Sequence, residues 1–144
     1  MTAMRFLDTN ILLYSISRNE AESKKRDIAI AMLDQDDWTI SVQVLQEFYV
    51  QATRSSRPDP IPHDIAVGLI GTWLRFRVQE TTVTVLLGAL EIKTAYGFSY
   101  WDSAIISAAR ASGCKELYSE DLSHGQQIDG ITIINPFRQQ HIIE

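Results

Sequence analysis

The chain has 144 residues, 45% of them hydrophobic and 22% charged, and 13 basic against 18 acidic side chains give a formal net charge of −5. That balance describes an ordinary globular protein with a core of its own, and the lone cysteine, Cys114, excludes an internal disulfide. The longest apolar runs fall far short of the roughly 20 residues that span a bilayer, and MTAMRFLD has no basic region ahead of a long apolar stretch, so a cytoplasmic protein forming one domain over residues 1–144 is expected.

In chain order, MRFLD reads as a short buried strand with Asp8 at its C-terminal end, and NILLYSIS as a helix start for which Thr9 and Asn10 are cap candidates. Residues 23–35 place Ile28, Ala29, Met32 and Leu33 at helical spacing. WTIS is a second strand, and Ser41 can cap the helix over 42–54, whose stripe is Val42, Leu45, Phe48, Tyr49 and Ala52. Glu47 falls away from that stripe, with Gln43 and Arg54. The Pro-rich SSRPDPIPH is a turn. Ile65, Leu69, Trp73 and Phe76 mark the next helix, followed by a strand near 77–81.

A helix over 83–96 tolerates Gly88, and GFS breaks the chain. YWDSAIISAARASG is then helical, with Trp101, Ala104, Ile105 and Ala108 on one face and Gly113 at its end. KELYS is a strand, SHGQQIDG a loop and ITIINPF the last strand. Alternating strands and helices predict an α/β fold: a mostly parallel sheet of about five short strands, covered on both faces. Sites in such folds gather at the C-terminal ends of the strands. Asp8 and Asp121 lie just past strand ends, Asp102 opens a helix, and Glu47 lies in the second turn of a helix that follows a strand. The topology therefore sends all four toward one rim.

Each of the four has an ordinary reading by itself, as a helix cap, a first-turn carboxylate favoured by the helix dipole, a wet helix face or a turn residue. Together they make an oxygen-rich pocket suited to Mg²⁺ or Mn²⁺, and hence to metal-assisted phosphodiester hydrolysis without a nucleophilic side chain. Net acidity argues against a nucleic-acid partner, but these four carboxylates account for most of it, and a bound divalent ion reverses the local sign. A phosphatase of the haloacid-dehalogenase type also begins with a strand and an aspartate. It needs a second aspartate two residues on, where this chain has Asn10.

FLDTNILLY, the glutamate in SVQVLQEFY, YWDSAI and LYSEDLSHG together resemble the ordered acidic motifs of PIN-domain ribonucleases, and more closely those of VapC-type toxins of toxin–antitoxin pairs. The resemblance runs from about residue 4 to residue 137. It implies a PIN-like α/β/α sandwich in which Asp8, Glu47, Asp102 and Asp121 bind Mg²⁺ or Mn²⁺ and support RNA cleavage. Thr9, Asn10 and Ser41 then match the polar residues that orient the site, and Glu120 is an alternative to Asp121. The resemblance also implies a homodimer and a small VapB-like antitoxin that blocks the site. A housekeeping PIN nuclease and a non-catalytic RNA- or partner-binding module are the competing readings.

Lys24, Lys25, Arg26 and Arg54 are candidates for contact with RNA phosphates, set against a plain solvated face. Trp101 reads as core from its stripe, Trp38 and Trp73 as core or dimer contacts, His124 as an incidental loop residue and Cys114 as a buried small side chain.

Overall fold

A computed structural model describes residues 5–138. Within them, six strands form one sheet in the order β3-β2-β1-β4-β6-β5. The strands are β1 (Arg5–Leu7), β2 (Trp38–Ser41), β3 (Arg77–Gln79), β4 (Glu116–Tyr118), β5 (Gln127–Ile128) and β6 (Ile131–Ile134). The helices are α1 (Thr9–Ser15), α2 (Ser23–Leu33), α3 (Val42–Thr53), α4 (His63–Trp73), α5 (Val83–Tyr96) and α6 (Tyr100–Ala111), with one 3-10 turn at Glu20–Glu22. None of these helices is long and apolar enough to cross a membrane.

All pairings are parallel except β5 against β6. The expected sheet of about five strands thus gains a sixth. β5 is a two-residue antiparallel edge inside the segment read as a loop, and it forms because the turn before Ile131, with Gly130 at φ 84°, folds the chain back on β6. Successive strand residues point to opposite faces, and Phe6, Leu7 and all of Trp38–Ser41 are buried. Both faces are therefore covered, as a parallel sheet requires. Helices α1 to α4 pack as one group and α5 with α6 as another.

Several expected boundaries move. Asp8 itself caps α1, its carboxylate accepting the Thr9 N–H, so Thr9 and Asn10 are already inside the helix. Helix α4 stops at Trp73, leaving Phe76 buried beyond it, and β3 ends at Gln79. Ile28 and Ile65, counted among the apolar stripes, are exposed at 38% and 49%. Met4, expected in the first strand, lies outside the described residues. Trp38 and Trp73 are core residues, as is Cys114. At Gly88 a Cβ atom would stand 2.4 Å from the Ser107 hydroxyl, so the glycine lets α5 and α6 approach closely.

Candidate active site

The strand order reverses between β1 and β4, which run parallel. The chain steps outward from β1 through β2 to β3, then returns to lay β4 on the other side of β1. Loops leaving two such strands part from each other, and the crevice between them is the natural binding place of an α/β sheet. Asp8 leaves β1 there and Ser119, Glu120 and Asp121 leave β4. A cleft of about 220 Å³ opens at this point, and Asp8, Glu47, Asp102 and Asp121 all line it.

Asp8 is 4% exposed. Its N–H donates to the Tyr118 carbonyl at 3.0 Å, adding one rung to the β1–β4 ladder. One carboxylate oxygen accepts the Thr9 N–H at 2.6 Å and the other the Ser119 hydroxyl at 2.8 Å. Burial pushes the carboxyl from 3.8 up to about 7. The two hydrogen bonds pull it down, and the neighbouring Asp121 and Glu47 charges push it further up.

Glu47 is half-buried on α3, a helix capped by the Ser41 hydroxyl, which accepts the Val44 N–H at 3.2 Å. Its Oε1 accepts the Thr9 hydroxyl at 2.7 Å and its Oε2 accepts Gln43 Nε2 at 3.1 Å. Thr9 therefore holds Asp8 through its backbone and Glu47 through its side chain. Asp102 lies in the first turn of α6, its N–H donating to the Ser99 hydroxyl that caps the helix. Burial, then the Asp121 charge, raises its carboxyl above the usual range; the Ser99 hydrogen bond lowers it, and the Glu47 charge adds a smaller rise. Asp121 is exposed, accepts Asn10 Nδ2 at 3.2 Å and donates its N–H to the Ser119 hydroxyl at 3.1 Å.

Of the two adjacent acids after β4, Asp121 faces the cleft. Glu120 turns away to the Tyr14 hydroxyl and the Lys25 ammonium. Ser41 hydrogen-bonds its own helix and acts on Glu47 only by fixing α3. Lys24, Lys25, Arg26 and Arg54 do not line the cleft. Lys25 is bound to Glu120, and Arg26 meets Asp27 at 3.5 Å. His124 braces its loop, its Nδ1 accepting the Asn135 N–H at 3.0 Å.

Two further residues shape the site, and only one of them carries a sequence signal. Ser119, fully buried, ties Asp8 to Asp121, yet in sequence it is one more serine after a strand. Gln43 orients Glu47 and its Nε2 also reaches the Trp101 carbonyl at 3.3 Å. Its i, i+4 spacing to Glu47 was the available clue. Trp101 corrects the reading from its stripe: the side chain is 62% exposed and lines the cleft. The first turn of α6 stands outside the core, which α6 enters only from Ser103 onward.

The donor set suits a hard divalent cation. It is all oxygen, every partner of the four carboxylates named above is a neutral N–H, amide or hydroxyl, and among the described residues no Lys, Arg or His lines the cleft. Among the described residues no three such side chains converge closely enough to chelate an ion unaided. That is compatible with Mg²⁺, which takes one or two carboxylates and completes its shell with water and substrate oxygens.

No curated protein sequence matches the chain significantly. Solved structures do share its fold. A toxin–antitoxin complex from Klebsiella pneumoniae aligns with a TM-score of 0.69 at 17% identity, covering 92% of this chain and 98% of that one. VapC20 of Mycobacterium tuberculosis, a sarcin-ricin loop cleaving toxin, aligns at 0.64 and 18% identity over 80% and 88% of the two chains. DNA-bound VapBC from Salmonella typhimurium aligns at 0.62 and 19% identity over 92% and 97%. The family model of the PIN domain matches residues 5–126, which take in all four acids, and the chain belongs to the PIN domain family.

Proposed function

We propose that this protein is a Mg²⁺- or Mn²⁺-dependent endoribonuclease acting as the toxin of a toxin–antitoxin pair. One observation carries the reading: four carboxylates from distant parts of the chain line one switch-point cleft that, among the described residues, has no cationic side chain. Asp8, Asp102, Glu47 and Asp121 are the residues that would hold the metal. A divalent ion bound there supplies positive charge against the charge developing at phosphorus and makes water more acidic. Asp8, with its carboxyl raised to about 7, holds or releases a proton near neutrality as the local charge changes. Thr9 and Asn10 fix Glu47 and Asp121 in position, and Ser41 fixes the helix that carries Glu47.

The toxin assignment draws on the similar structures, one a toxin–antitoxin complex and one an RNA-cleaving toxin. A VapB-like antitoxin is the partner this predicts. A homodimer fits the exposed apolar side of α5, where Val83, Leu87 and Leu90 face outward. An RNA substrate implies action in the cytoplasm, and residues 1–144 are read as one domain.

The test is cleavage of single-stranded oligoribonucleotides by purified protein with Mg²⁺, with chelator and with the Asp8→Asn variant. Wild type should cut only with metal, and Asp8→Asn should fall to background, with the same contrast in growth arrest on expression. A variant as active as wild type would overturn the assignment of the site.

A further inference from the structure

Trp38 and Trp73 are 2% and 4% exposed, whereas Trp101 is 62% exposed. Leaving an indole in water forgoes one of the larger stabilising terms available to a small fold, so its position calls for another explanation. Trp101 directly precedes Asp102 and lines the acidic cleft. It also lines a second groove of about 240 Å³ with Gln43, Gln46, Glu47, Val50 and Gln51. The two depressions share Glu47, Gln51 and Trp101, so one runs into the other.

Tyr100 packs edge-to-face against the indole, with ring centroids 5.0 Å apart at 78°, and the Trp101 backbone carbonyl accepts Gln43 Nε2. Opposite it, the groove residues of α3 follow i, i+3, i+4, i+7, i+8, one continuous stripe. Three of the five are glutamines: Gln43 is spent on Glu47 and the Trp101 carbonyl, and Gln46 and Gln51 offer amides that both donate and accept hydrogen bonds. Among the described residues the groove has no positive charge for a phosphate. A flat π surface flanked by neutral amides matches a nucleobase, whose faces stack and whose edges donate and accept.

We propose that Trp101, with Gln46 and Gln51, forms a nucleobase subsite in which the indole stacks on the base flanking the bond to be cut. This rests on the nuclease reading and gives an unpaired base a named contact, since a base inside a duplex has no free face. A second copy of the protein is the competing occupant. The glutamine-rich stripe favours a base, whereas the exposed leucines of α5 suit a protein contact better.

Because the other two tryptophans are buried, quenching by an added ligand reports Trp101. In the Asp8→Asn variant, a mixed-sequence single-stranded oligoribonucleotide should quench the emission, and an abasic ribose-phosphate chain of equal length should not. In the otherwise wild-type enzyme, Trp101→Ala should raise KM by roughly five- to 150-fold with kcat little changed, and Trp101→Phe should recover most of the loss. Equal quenching by both chains, no quenching, or an unchanged KM overturns the subsite. So does a Trp101→Ala protein that drops from dimer to monomer in light scattering, which assigns the indole to a contact between copies. Base-dependent quenching without cleavage by wild type would retain the subsite and discard the nuclease reading.

Discussion

Glu120 and Asp121 are neighbours in sequence and opposites in environment. Glu120 has a cation, Lys25, and the Tyr14 hydroxyl, and Lys25 also lies 4.9 Å above the Tyr14 ring. The carboxylates of Asp8, Glu47 and Asp121 accept from neutral donors, and among the described residues no cationic side chain lines the cleft they share with Asp102. The fold thus places a lysine within one residue of the cleft and spends it on the acid that faces away. A structural carboxylate is neutralised internally. The cleft carboxylates keep their mutual repulsion, which burial worsens at Asp8 and Asp102. Only something brought from outside can relieve it.

Three measurements sharpen this contrast. The largest effect is expected at Ser119, the hidden tie between Asp8 and Asp121. Ser119→Ala should weaken metal-supported cleavage by about ten- to 100-fold, the usual range for residues that orient metal ligands. Activity within twofold of wild type, in a protein that melts normally, would remove Ser119 from the site.

Next comes the pH dependence of the metal-free fold. The Asp8 carboxyl is raised from 3.8 to about 7, so the folded protein keeps a proton that the unfolded chain has already lost. That contribution is fully present below the unfolded value and disappears as pH rises through the folded one. Asp102 shifts in the same direction. In chelator, the melting temperature of wild type should therefore fall relative to that of Asp8→Asn between these pH values, and millimolar Mg²⁺ should restore it. Parallel melting curves for the two proteins across that range would contradict the raised carboxyl that burial gives Asp8.

The smallest effect is expected at the neutralised acid. Glu120→Gln removes a pair whose side chains are 39% and 24% exposed, so it should lower stability by no more than about 1 kcal/mol and leave cleavage within about twofold. A large loss of activity would mean that Glu120, and not Asp121 alone, serves the site.

Much of the cleft was legible because its acids sit where periodicity is informative. Asp8 ends a buried run, Asp102 opens a helix, and Glu47 leaves its helix's apolar stripe. Strand–helix alternation then supplied the rim. Trp101 was misread because i, i+3, i+4, i+7 spacing gives a face of the helix but not where that face meets the core, which α6 enters only from Ser103 onward. Ser119 was invisible because a buried serine and a turn serine are the same letter, and only the parallel β1–β4 register brings it to Asp8. β5 escaped because two residues show no period, and its pairing comes from the turn before β6.

The backbone of Asp8 is the last rung of the ladder between the two central strands. Its amide should exchange with solvent only when the whole sheet opens, among the slowest in the molecule. A carboxylate moored in that way cannot be swung aside by a shifting loop or a tilting helix. Control of such a protein falls to competition for the cleft, and an inhibitor has to act as a plug.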